Sequence, residues 1–183
     1  SRFDLYIRYS RAMMDLLSDY TPDHEKFSID EIFLDMTETI HLFGSPLETA
    51  DRIRTRIRNE LGFTVNIGIA PNKLLAKMAS DFEKPDRCHT LFYDEIPTKL
   101  WPLPIRDLFF VGGSAQKKLE HLGIHTIGQL ASCEPQVLKA HLGDKYAVLI
   151  HQYANGIDND PVGEKDPINK GYGNSLTLSR DVS

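Results

Sequence analysis

No stretch of this sequence comes near the ~18 consecutive apolar residues that a membrane span needs, and its opening residues (Ser1-Arg2-Phe3-Asp4) lack the layout of a signal peptide. The expectation is a cytoplasmic protein with no membrane partner. Cysteine is scarce: Cys88 and Cys133 lie far apart and read as free thiols rather than as a disulfide framework. Low-complexity tracts are missing and glycine and proline are ordinary, which argues against disorder along the whole length. A positive charge balance is missing too. At a formal net charge of −5, the chain is not built mainly to coat nucleic acid, because neutralising phosphates takes a basic surface. An initiator methionine is absent, and the first residue, Ser1, suggests a piece of something longer.

What is present is 183 residues with 41% hydrophobic content, enough for one medium domain or two small ones. The cations are bunched: Arg52, Arg54, Arg56 and Arg58; Lys73, Lys77 and Lys84; Lys117 and Lys118. Each bunch, taken singly, reads as a solvated helix face.

Apolar periodicity predicts a helix over 3–18, with Phe3, Tyr6, Ile7, Met13, Met14 and Leu17 on one face. Residues 26–36 are too rich in β-branched and aromatic side chains for a loop and predict a strand. Ser45-Pro46-Leu47-Glu48 combines an N-cap serine, a proline at the first helical position and a capping-box glutamate. The helix it starts runs to Leu61 and buries Leu47, Ala50, Ile53, Ile57 and Leu61, until Gly62 stops it. Thr64 to Ala70 alternates as a strand, Asn72 to Asp81 follows as a helix, and a strand near Leu91-Phe92-Tyr93 completes a sheet with helices on it. From residue 96 onward only short helices are expected: 97–101, 114–122, 127–131, 135–142 and 145–156. A boundary therefore falls near 95. Residues 155–169, rich in Gly, Pro, Asp and Asn, read as a linker, and 170–183 as the opening strand of a further, incomplete domain.

Asp30-Glu31, inside the apolar strand segment, is the most informative feature. Successive residues of a flat strand point to opposite faces, so both carboxylates reach one place only if a turn or bulge near Ser28-Ile29 intervenes. Two hard oxygen ligands at a sheet edge suit Mg²⁺, which fills its remaining positions with water and phosphate. Taken bare, such a pair is more often a solvated strand-end than a catalytic one.

Its neighbours alter that balance. Ser28-Ile29-Asp30-Glu31-Ile32-Phe33-Leu34-Asp35 resembles the S-I-D-E-x-[FY]-[LM]-D palm motif of Y-family (translesion) DNA polymerases. Gly68-Ile69-Ala70-Pro71-Asn72-Lys73, continuing through Ala76-Lys77-Met78-Ala79-Ser80-Asp81 to Lys84-Pro85, resembles a second segment of that family in the right order and at the right spacing. The resemblance implies an α+β chain. It would comprise a partial palm over 1–95, a small all-α thumb over 96–156, and over 157–183 a linker with the start of a little finger. It implies that Asp30 and Glu31 are catalytic metal ligands for two Mg²⁺ ions, and that Lys84 contacts the triphosphate of an incoming deoxynucleoside triphosphate as a point charge. For Lys73 and Lys77 a solvated face and a supporting electrostatic role stay open. Ser28 and Asp35 read as structural.

In the helical half, Phe110 to Ile124 followed by Thr126 to Leu130 resembles a helix–hairpin–helix. In that module a glycine turn leaves backbone amides free at a helix N-terminus to grip a DNA phosphate. The resemblance assigns Gly112, Gly113, Ser114 and Lys117 to DNA binding. The first glycine of the usual G-[VI]-G pattern is here Phe110, with Gly113 as the expected compensation. His121 and His125 have the spacing of a metal pair, but Gly123 interrupts the helix that would align them. Trp101 reads as core.

The partners implied are primer/template DNA, the nucleotide, and, for a longer protein, a sliding clamp; the expected location is nucleoid-associated. The family's first catalytic aspartate, its steric-gate aromatic and its fingers would lie upstream of residue 1. The residues alone would then fold but not polymerise. The leading reading is part of a lesion-bypassing, template-directed nucleotidyltransferase. One rival is a catalytically silent relative acting as a DNA-binding accessory protein, and another is a palm-like nucleotide cyclase, which should lack the helical thumb.

Overall fold

The structure, a computed structural model, describes residues 2–163. Helix α1 (Phe3–Leu17) leads into a hairpin of β1 (His24–Lys26) and β2 (Ile32–Leu34). The long helix α2 (Pro46–Leu61) follows, then β3 (Ile67–Ile69), α3 (Lys73–Ser80) and β4 (Cys88–Thr90). Short helical turns over 93–100 and 105–107 open a helical half made of α4 (Gly113–His121), α5 (Ile127–Ala131), α6 (Pro135–Leu142) and α7 (Asp144–Ala154).

The start of α2 forms as its residues dictate. The Ser45 side chain accepts from the Glu48 amide, the Glu48 carboxylate accepts from the Ser45 amide, and Pro46 needs no partner at the first turn. Gly62 closes the helix at φ +77°, a conformation glycine adopts without a Cβ penalty. Thr49, Ala50, Ile53 and Ile57 form the buried face, whereas Leu47, in the first turn, is exposed instead of buried.

The expected strand over 26–36 is a hairpin folded about residues 27–31, with His24 opposite Leu34 and Lys26 opposite Ile32. The strand expected near 91–93 pairs three residues earlier: Cys88–Thr90 lies parallel to Ile67–Ile69, and the Leu91 amide donates to the Ile69 carbonyl. The single sheet expected is, among the described residues, two separate two-stranded sheets. Both β2 and β3 border one open cleft of about 1450 Å³. That cleft also explains α1, whose N-terminal aromatics Phe3 and Tyr6 line it exposed, while Met13, Leu16 and Leu17 lie in the core.

Two cores form. Met13, Leu16, Leu17, Tyr20, Ile53 and Ile57 join α1 to α2. The larger core gathers Leu74, Leu75, Met78 and Ala79 of α3 and Leu91 with Leu100, Leu119, Ile127, Leu130 and Ile150 of the helical half. It therefore runs across residue 95. Trp101 packs against this core, its indole N–H donating to the Ala154 carbonyl at 3.0 Å. The strand expected over 170–183, and most of the 157–183 segment, lie outside the described residues.

Candidate active site and nucleic-acid interface

The site begins with a tight turn. The amides of Phe27 and Ser28 both donate to the Glu31 carbonyl, at 2.9 and 3.1 Å, which folds residues 28–30 out of the ladder. Freed from strand alternation, both carboxylates reach one side. The Ser28 hydroxyl bonds to Asp30 Oδ1 at 2.7 Å and lies 3.5 Å from Glu31 Oε2. The turn expected from the sequence is thus present, and Ser28 spans the pair. Asp35 has a local role: its Oδ1 accepts from the Thr37 hydroxyl and amide, and these bonds hold its carboxyl below the usual range.

Helix α3 brings the cations. Asn72 caps it by accepting from the Leu75 amide, and the Asp158 carboxylate accepts from the Leu74 amide. Gly68 lets the helix approach β3, since a Cβ there would stand 1.8 Å from the Ala76 carbonyl oxygen. One turn apart, Lys73 pairs with Glu25 at 2.8 Å and Lys77 with Glu31 at 2.6 Å. Neither lysine is a solvated face, with side chains 10% and 17% exposed. Asp81 pairs with Lys77 at 2.8 Å and with Lys84 at 2.6 Å. Burial pushes the Lys77 ammonium down and the Asp81 carboxyl up. The hydrogen bonds each makes outweigh burial, so the lysine ends above and the aspartate below its ordinary value. The chain of charge runs Asp30, Glu31, Lys77, Asp81, Lys84.

Asp30 is exposed and Glu31 half-buried, so both oxygens sets are open to a ligand from solvent. The donors suit a hard cation, though as two ligands: among the described residues no group of three or more His, Cys, Asp or Glu is gathered for a metal. His121 and His125 take no part in such a group. The His121 ring nitrogen meets the Lys117 carbonyl at 2.6 Å.

In the helical half, Gly112 precedes α4 with no side chain capping it, and Gly112, Gly113, Ser114 and Lys117 are all exposed. The first amides of α4 therefore lack intrahelical partners. The left-handed conformation of this turn falls on Phe110, at φ +71°. Gly113, the first residue of α4, does not share that conformation. The ring of Phe110 lies 4.6 Å from that of Phe109, and Phe109 lies 6.0 Å from Phe27 of the carboxylate turn. An aromatic series thus joins the two regions.

Sequence reasoning overlooked Asp81, although its place four residues after Lys77 and three before Lys84 is a legible charge pattern. Glu25, Asp86 and Tyr146 carried no local signal, since their partners are distant in sequence.

Residues 1–81 match a model described as the impB/mucB/samB family, and residues 106–158 one described as DNA polymerase-iota, thumb domain. The chain is 47% identical over 182 residues to DNA polymerase IV of Clostridium acetobutylicum, covering all of this chain and 46% of that protein. It is 46% identical to DNA polymerase IV 1 of Bacillus subtilis, covering 99% of this chain and 44% of that protein. Among solved structures, DinB from Sulfolobus solfataricus matches with a TM-score of 0.79 at 29% identity, over 88% of this chain and 48% of that one. An insertion ternary complex of Dbh DNA polymerase matches with a TM-score of 0.80 at the same identity, over 88% of this chain and 47% of that one. The chain spans slightly under half the length of the curated relatives it matches.

Proposed function

The chain belongs to the Y-family of DNA polymerases, and from that premise we propose that it is part of a DNA-directed DNA polymerase working in translesion synthesis. In this reading 1–95 is palm, 96–156 thumb and 157–183 the approach to a little finger. The observation that carries it is the turn at 27–31, which sets Asp30 and Glu31 around one serine hydroxyl and beside Lys77.

Asp30 and Glu31 would hold Mg²⁺, two ions in a complete site, and the metal supplies Lewis-acid stabilisation of the attacking 3′-oxygen and the leaving pyrophosphate. The protein's own contribution is placement and charge. Ser28 and the turn orient the carboxylates. Lys84, 59% exposed and leaning on Asp81, is free to swing to a triphosphate. Lys77 balances Glu31 when no cation does. At the thumb, the open amides at Gly113 and Ser114, with Lys117 one turn on, hold a phosphate of primer/template DNA without reading its bases. A nucleoid location and a sliding-clamp partner belong to this reading of the longer protein. Among the described residues no helix is long and apolar enough to cross a membrane.

The test is primer extension with Mg²⁺ by the longer protein. Asp30→Asn and Glu31→Gln should each lower the rate by roughly three or more orders of magnitude with folding intact. Residues 1–183 alone, with two carboxylates at the turn, should fold and bind duplex weakly without extending a primer. Near-normal extension by either variant refutes the carboxylate assignment. A silent relative would show no extension even as the unmodified longer protein.

A further inference from the structure

Two of the arginines of α2 do more than solvate the face their spacing suggests. Arg54 and Arg58, one turn apart, both reach Asp86: their Nη1 atoms lie 2.8 and 2.7 Å from Oδ2 of that residue. Arg54 also donates to the Asp86 backbone carbonyl at 3.2 Å and is held from behind by Asp51. Asp86 sits at φ +60°, a conformation aspartate tolerates better than most residues. Its side chain is 18% exposed, and Oδ1 is buried with no hydrogen-bond partner. Neighbouring contacts finish the anchorage. The Arg87 amide donates to the Asn66 side chain, and the Arg87 carbonyl accepts from the Ile67 amide.

The segment so fixed is the connection between α3 and β4. Lys84 lies within it, two residues before Asp86, and neither helix nor strand holds it there. A lysine that recognises phosphate as a point charge depends on where its backbone starts, because its long side chain supplies no geometry of its own. We infer that Asp86, gripped by Arg54 and Arg58, is a positioning residue that fixes the turn from which Lys84 reaches the nucleotide triphosphate. The inference rests on the reading of Lys84 given above. It gives the α2 arginines a role in nucleotide affinity, although they themselves touch no substrate.

The experiment is steady-state primer extension by the full-length protein, varying nucleotide, with Asp86→Asn, Arg58→Lys, Lys84→Ala and the Asp86→Asn/Lys84→Ala pair. Asp86→Asn keeps the shape and the backbone tolerance while removing the charge that both arginines grip. It should raise nucleotide KM roughly five- to tenfold, with kcat and duplex Kd each within about twofold. Arg58→Lys, which keeps a cation at a half-exposed position, should raise KM less. In the Lys84→Ala background Asp86→Asn should add almost nothing, because the clamp has no lysine left to place. Thermal melts alongside keep loss of folding separate from loss of affinity. A raised KM in Lys84→Ala with an unmoved KM in Asp86→Asn overturns the clamp alone. An equal rise from Asp86→Asn with and without Lys84 also overturns it. An unmoved KM in Lys84→Ala brings down the reading of Lys84 and the clamp with it.

Discussion

The Tyr146 hydroxyl donates to the Phe110 carbonyl at 2.8 Å, tying α7 to a residue held at φ +71°. An aromatic residue in the left-handed region costs roughly 1–2 kcal/mol, so something must hold it there. Ring contacts to Phe109 and Tyr153 and this hydrogen bond are the restraints. Tyr146→Phe should lower stability by about 1 kcal/mol. The same change should cost more in a Phe110→Gly background, where losing the bond releases no backbone strain to offset it. Urea denaturation of the four variants measures the coupling, and an equal cost in both backgrounds would remove the strain argument.

At Gly112 an added Cβ would meet nothing within 4 Å, and φ is −81°, which any residue accepts. Bulk there meets no protein atom, so on the reading in which this turn grips a phosphate it would take only the phosphate's space. Gly112→Val in the longer protein should leave the melting temperature unchanged and weaken duplex binding roughly tenfold at fixed salt, for all sequences alike. Unaltered binding would exclude backbone gripping at this turn, and a loss confined to one sequence would indicate base readout.

Gly68 is the opposite case. Its Cβ would lie 1.8 Å from the Ala76 carbonyl oxygen and 2.8 Å from the Ser80 amide nitrogen, both backbone atoms of α3 that cannot turn aside. Gly68→Ala should destabilise by more than about 3 kcal/mol. A calorimetric melt within a degree or two of the parent would show that α3 can lift from β3 at little cost.

Asp35 supplies a pH dependence with a definite sign. Bonds from the Thr37 hydroxyl and amide lower its folded-state pKa, so its contribution is complete above the unfolded value of roughly 4 and is lost as pH falls through the folded one. Asp35→Ala should therefore trail the parent in stability at pH 7, and the gap should close in strong acid. A gap independent of pH would mean that the carboxylate charge contributes nothing.

Much of this was legible in the residues because the signals are local. The capping box at Ser45 and Glu48, the stop at Gly62, the cap at Asn72 and the spacing of the short helices all act within one turn of chain. The bend that unites Asp30 and Glu31 could be required from the alternation of a strand, though not its closure on the Glu31 carbonyl. The errors have a common origin in contacts between distant segments. Strand β4 lies three residues before the stretch its side chains suggest because its register is set by β3, and the exposure of Leu47 is not legible because periodicity does not reveal where a core ends. The grip of Arg54 on Asp86 and of Tyr146 on Phe110 had no signature, as each joins residues about thirty or more positions apart.

Helix α3 has two clients. Leu74, Leu75, Met78 and Ala79 are embedded in the core of the helical half, while Lys73 and Lys77 are locked onto the β1–β2 hairpin. A helix of eight residues is too short to bend between such attachments. The two halves therefore share one short rod, so that the packing of the helical half and the position of the Lys77 ammonium beside Glu31 are fixed by the same eight residues.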